Sequence, residues 1–149
     1  PALWLESALL LGVLACIALL PEILWNVDYG LRLLLRRRIT GLTEYMFDPG
    51  IPRWLRAVSL FHVPLPLVLV WLVAAYGYPE ASLAAGAGTG AVVLALSWWF
   101  SSPEKNINWV YGPARVQRLL PQPVYLALLY LAFVLLVFLP THWVLLRLF

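Results

Sequence analysis

Residues 57–76 read AVSLFHVPLPLVLVWLVAAY, twenty positions without one Asp, Glu, Lys or Arg. With a rise of about 1.5 Å per residue, about 20 helical residues cross the ~30 Å hydrocarbon core of a bilayer. Lipid offers no partners to backbone N–H and C=O groups, so a run of this kind is expected as a helix. Working outward, three more runs have the same character. Residues 3–20 are broken only by Glu6 and Ser7, residues 81–100 are small and apolar, and residues 124–146 contain Pro140, Thr141 and His142. The predicted fold is therefore all-α: one domain, 1–149, forming an integral membrane bundle of four transmembrane helices.

Composition points the same way. The chain is 63% hydrophobic and 11% charged, with a mean hydropathy of +0.87. Soluble domains carry roughly 45–50% apolar and about 25% charged residues. A chain this small has too much surface to hide such an excess in its own core. The first run has no basic residues ahead of Leu3 and is followed by Pro21 and Glu22, not a small-residue cleavage site. It is expected as a retained anchor, with Pro1 as the residue left after removal of an initiator Met.

Orientation is read from the cations. Arg32, Arg36, Arg37, Arg38, Arg53 and Arg56 lie between runs one and two, and Lys105, Arg115 and Arg118 between runs three and four; only Arg147 lies elsewhere. The positive-inside rule then puts both loops in the cytoplasm and both termini outside, in a cell membrane of the bacterial inner-membrane type. Trp25, Trp54, Trp98, Trp99 and Trp109 are expected at the inner interface, and Trp4 and Trp143 at the outer one. Leu31, Leu34 and Leu35 interleave with Arg32, Arg36, Arg37 and Arg38. That predicts a short interfacial helix in the first loop, its guanidinium groups among anionic headgroups. The second loop opens with Ser102-Pro103-Glu104, a helix-start pattern.

Few residues stand out for chemistry. His62 is followed by Pro64 and Pro66, whose missing N–H groups leave the carbonyls of Leu60 and His62 without helical partners. An ionisable group beside an unsatisfied turn is a common intramembrane site, although a histidine bonded to a neighbouring carbonyl is the plainer alternative. Glu22 and Asn26 share a helix face, and Asp28 follows. Glu104, Asn106 and Asn108 precede Trp109. The candidate polar site is thus His62, Glu22, Asn26, Asp28, Glu104 and Asn106. A second histidine, His142, is expected near the outer interface beside Glu6 or Glu80, too far along its helix to share a metal with His62. No metal or cofactor is expected, and Cys16 reads as a buried apolar thiol. Gly86 and Gly90 form a G-x-x-x-G that suits close helix packing, either inside the bundle or between copies.

No G-x-S-x-G, H-E-x-x-H or G-x-x-x-x-G-K-[ST] occurs, and nothing resembles a nucleic-acid module. Three functions remain. The first expectation is a non-enzymatic accessory, assembly or structural subunit, self-associated or held in a larger membrane complex through the glycine face. The alternatives are a small transporter or channel using the kinked second helix, and a lipid-headgroup enzyme at the cytoplasmic face.

Overall fold

The computed structural model describes the backbone of residues 2–37, 40–113 and 116–149, and side chains in those ranges from Ala8 onward. Arg38 and Arg115 lie outside the described residues, as do the side chains of Trp4 and Glu6. Every regular element among the described residues is helical. Helix α1 runs Ala2–Leu35. After a 3-10 turn at Glu44–Phe47 come α2 (Arg53–Val58), a second 3-10 turn (Ser59–His62) and α3 (Leu65–Tyr76). A short connection leads to α4 (Ser82–Phe100), then a 3-10 turn (Ile107–Trp109). The chain ends in α5 (Gln122–Phe133), a π turn (Val134–Phe138) and α6 (Leu139–Leu148). Four stretches are long and apolar enough to cross a membrane: Ala8–Leu35, Arg53–Tyr76, Ser82–Phe100 and Gln122–Leu148.

The first of these differs from its sequence reading. α1 does not stop at Leu20; it passes through Pro21 and continues to Leu35. Proline removes a single backbone bond, and the turns beyond it are held by tertiary contacts. The leucines and arginines around residue 31 are therefore the end of α1, not a separate interfacial helix. The helix stops where Arg36 adopts a left-handed backbone, φ 52°.

α1 is also the hub. In its apolar window 39% of residues are buried, against 11, 17 and 11% in the other three, so the other candidate spans pack chiefly on α1. Ala15 and Cys16 are fully enclosed there, beside Leu69, Val73 and Phe138. Small residues make the approach possible. A Cβ on Gly12 would collide with the Ser82 hydroxyl, so the α3–α4 connection can lie directly on α1. Gly86 faces Cys16 and Ile17, and Gly90 faces the Phe138 ring, where an added Cβ would sit 2.8 Å away. The G-x-x-x-G face is thus used inside the bundle. Gly90→Val is expected to lower the thermal midpoint in detergent, at a cost of about 1–3 kcal/mol. Gly88→Ala, whose Cβ would meet nothing within 4 Å, should be neutral or gain up to about 1 kcal/mol. Equal effects of the two would show that the packing assigned to Gly90 is wrong.

The last span carries a register shift. Pro140 cannot donate to Leu136, and the chain upstream widens into the π turn, where i→i+5 bonding replaces i→i+4. Residues past that turn are rotated relative to a uniform α-helix. As a result His142 and Thr141 are buried, and His142 Nδ1 lies 3.0 Å from the Tyr78 hydroxyl. Its partner is thus Tyr78 and not Glu80, which is exposed; the alternative partner Glu6 has its side chain outside the described residues. Burial pushes the Tyr78 phenol well above its ordinary range, with the Cys16 thiol adding to the shift.

Candidate polar site at the arginine-rich end

Residues 22, 25, 26, 29 and 32 follow the i, i+3, i+4, i+7 rhythm and share one face of α1. That face holds Glu22, Trp25, Asn26, Tyr29 and Arg32. It meets the turn before α3, where Pro64 and Pro66 shape the backbone. The Leu60 carbonyl, orphaned by Pro64, is taken by the Val63 N–H at 3.0 Å in a tightened 3-10 turn. The His62 carbonyl, orphaned by Pro66, accepts instead from Asn26 Nδ2 at 2.7 Å. The same amide donates to the Glu22 carbonyl at 2.8 Å. Asn26 therefore supplies from another helix the bond that proline withholds, and fixes His62 against α1.

So placed, His62 Nδ1 stands 2.6 Å from Glu22 Oε2. Their side chains are 23% and 13% exposed, so the contact is shielded but reachable. A carboxylate on Nδ1 selects the tautomer whose Nε2 is free to accept a proton. Nε2 makes no hydrogen bond among the described residues. The imidazole stacks on Trp25 at 4.7 Å between ring centroids, and Trp25 on Tyr29 at 5.0 Å. Tyr29 tilts against Phe47 at 5.7 Å, and the Arg32 guanidinium lies 4.7 Å over Phe47. This column of rings explains why α1 stays helical past Pro21. Trp25, read from sequence as a belt residue, is instead buried inside the site, whereas Trp54 and Trp99 are largely exposed.

Two cavities adjoin Glu22. One, of about 360 Å³, is lined by Glu22, His62, Trp25, Asn108 and Trp109 with apolar neighbours. The other, of about 330 Å³, shares Pro21, Glu22, Asn108 and Phe133 with the first and continues between Ile17, Val93 and Phe138. Asn108 reaches this position through an unusual loop. Asn106, Asn108 and Trp109 all have left-handed backbones, φ 41°, 53° and 59°. Each such residue costs roughly 1–2 kcal/mol, and Asn tolerates it better than Trp. Tethers hold the loop in place: Asn106 Nδ2 to the Gly112 carbonyl at 2.7 Å, Tyr125 hydroxyl to the Trp109 carbonyl at 2.7 Å, Asn108 Nδ2 to Ser97 Oγ at 2.7 Å.

Of the six candidate residues, then, the fold brings together Glu22, Asn26 and His62. Asp28 serves elsewhere: its carboxylate accepts from Thr40 and Thr43, through both their backbone N–H groups and their hydroxyls, at 2.6–3.0 Å. Asn106 staples its own loop. Glu104 is exposed, its carboxyl held below the usual range by the Ser102 side chain and then by its own backbone. The Ser102-Pro103-Glu104 pattern starts only a turn, because Asn106 goes left-handed. Asn108 and Trp109 were missed as site residues; three Asn/Trp positions in four, just before Gly112-Pro113, were the only sequence signal. Arg36 and Arg37 are exposed at the end of α1. Among the described residues no three His, Cys, Asp or Glu side chains converge as metal ligands. No protein-family model, no curated protein and no solved structure matches the chain.

Proposed function

We propose that this chain is a multi-pass protein of the bacterial inner membrane that handles a membrane-dissolved amphiphile at its cytoplasmic end, with Glu22 and His62 as the acid/base pair facing the headgroup. The observation that carries this reading is the 2.6 Å carboxylate–imidazole contact at the wall of an apolar cavity. Shielding an ionisable pair from water beside apolar surface is costly unless it is used or well compensated. Transport of an ion is less well supported. Beyond Glu22 the second cavity is walled by residues such as Ile17, Val93 and Phe138, which offer no ligands to an ion.

The orientation in this proposal rests on the arginines. Cys16 is fully buried, so a new surface cysteine can be read with little background. In intact cells a membrane-impermeant maleimide is expected to label Glu80→Cys and to reach Glu104→Cys only after the membrane is opened. The reverse pattern would invert the topology.

Binding is tested by purifying the full chain from its native membrane in mild detergent and identifying bound amphiphile by native mass spectrometry. The wild type is expected to carry one. Glu22→Gln, which keeps the size and one hydrogen bond but removes the charge, is expected to lose it at least about tenfold, the equivalent of 1.4 kcal/mol, with its melting temperature unchanged. A wild type with nothing bound, or a variant that retains the ligand fully, would defeat the reading. A second reading is an accessory subunit packed on a partner helix. It is favoured by the outward face of α4, where Ala84, Gly88, Ala91 and Ala95 are all exposed, since small residues permit close helix contact in lipid. Its signature is a defined oligomer or co-purifying protein in place of a lipid.

A further inference from the structure

We infer that the amphiphile bound at Glu22 and His62 is a single-chain molecule whose head donates hydrogen bonds and bears no negative charge: a long-chain alcohol or amine, not a phospholipid. This deepens the reading above and rests on it. Three features of the cavities support it.

The first is charge. Neither cavity is lined by a Lys or Arg. Their ionisable wall is the Glu22–His62 pair, which carries no net charge if the imidazole is protonated and one negative charge if it is not. A phosphate or carboxylate head would face a carboxylate in a poorly screened setting without a cation to balance it. The one arginine tied to this column, Arg32, lies on Phe47 at its far end, separated from His62 by the rings of Trp25 and Tyr29.

The second is hydrogen-bond polarity. One N–H of the Asn108 amide goes to Ser97, and the Asn26 N–H₂ to two carbonyls. The one ionised group on the wall can only accept: the second carboxylate oxygen of Glu22, joined by Nε2 of His62 when the imidazole is neutral. A hydroxyl or ammonium head pairs that carboxylate oxygen, and a head with acceptors alone leaves it unpaired.

The third is the shape of the apolar part. The two cavities meet at Pro21, Glu22, Asn108 and Phe133, so a chain whose head lies at His62 can run on beside Val93 to Phe138. At about 330 Å³ the tail cavity falls at the small end of ligand pockets, which suits one chain and not two. Leu24 and Val93 at the margins are 49% and 42% exposed on the apolar surface, so the way in is from the hydrocarbon.

The test uses the full chain in vesicles and three diazirine-bearing probes of one tail length: a hexadecyl alcohol, amine and phosphate. Alcohol and amine are expected to crosslink to peptides holding Val93, Leu94 and Phe138 at least about tenfold more than the phosphate, a 1.4 kcal/mol preference. Excess unlabelled alcohol should compete. Glu22→Gln should reduce labelling by the amine more than by the alcohol, because only the amine gains from the charge. Equal labelling by the phosphate would overturn the inference. So would labelling confined to outward residues such as Trp71. A phospholipid found in this cavity would end the head-group assignment while leaving amphiphile binding intact. An empty cavity that no probe enters would end both.

Discussion

Replacing Asp28 with Ala is expected to release the segment between α1 and α2 and to lower stability by at least about 3 kcal/mol, the largest single effect in the molecule. Asp28 is 2% exposed and Thr43 fully buried. Four donors from Thr40 and Thr43 end on one carboxylate. Each hydrogen bond to a charged group is worth about 1.5–3 kcal/mol, and the donors left behind pay desolvation without a partner. The four are not independent, so their sum is an upper bound. Asp28→Asn should be nearly as damaging, because its N–H₂ would face two N–H or O–H donors. Thr43→Ala, which removes one hydroxyl and keeps the backbone donor, should cost about 1 kcal/mol. Limited proteolysis reads the result directly: cleavage between residues 36 and 44 should accelerate in Asp28→Ala and barely change in Thr43→Ala. If Asp28→Ala melts within a degree of wild type, the carboxylate does not fasten the loop.

The second large effect concerns the carbonyl that proline orphans. Asn26→Leu is expected to cost about 1–3 kcal/mol, since the His62 carbonyl would be left unpaired in an apolar setting. It should also loosen His62 from Glu22, lowering the proposed amphiphile retention alongside stability. Pro66→Ala restores a backbone N–H four residues after His62, where an α-helix would supply it. Alone it should change little. Combined with Asn26→Leu it should recover much of the loss, with a coupling of about 0.5–3 kcal/mol between the two positions. If Asn26→Leu costs the same with Pro66 as with Ala at that site, the bond between Asn26 and His62 is not what holds the turn.

Asp28 and Glu22 illustrate how polar groups that look alike in sequence are separated by their neighbours. Asp28 and Glu22 are both carboxylates on the first helix, six positions apart. Asp28 points at a threonine-rich loop that satisfies it completely, so it has no capacity left for a ligand. Glu22 points at one imidazole, and its second oxygen stays available beside a cavity. Composition treats them alike; their neighbours do not.

The number and apolar character of the four long helices were legible in the sequence, because an apolar run about twenty residues long is a signal carried by every residue in it. The orphaned carbonyls of Leu60 and His62 were legible too, since Pro64 and Pro66 determine them locally. The tertiary structure decided the rest. That α1 would run to Leu35 depended on the ring column Trp25–Tyr29–Phe47, whose third member lies in another segment. That His142 would turn inward to Tyr78 depended on a π turn, which rotates everything after it and leaves no periodic mark. That Glu22, Asn26 and His62 would meet, while Asp28, Glu104 and Asn106 would not, depended on contacts between residues up to 40 positions apart. Local chemistry writes helices into a chain; which side chains then face one another is set by how the helices pack.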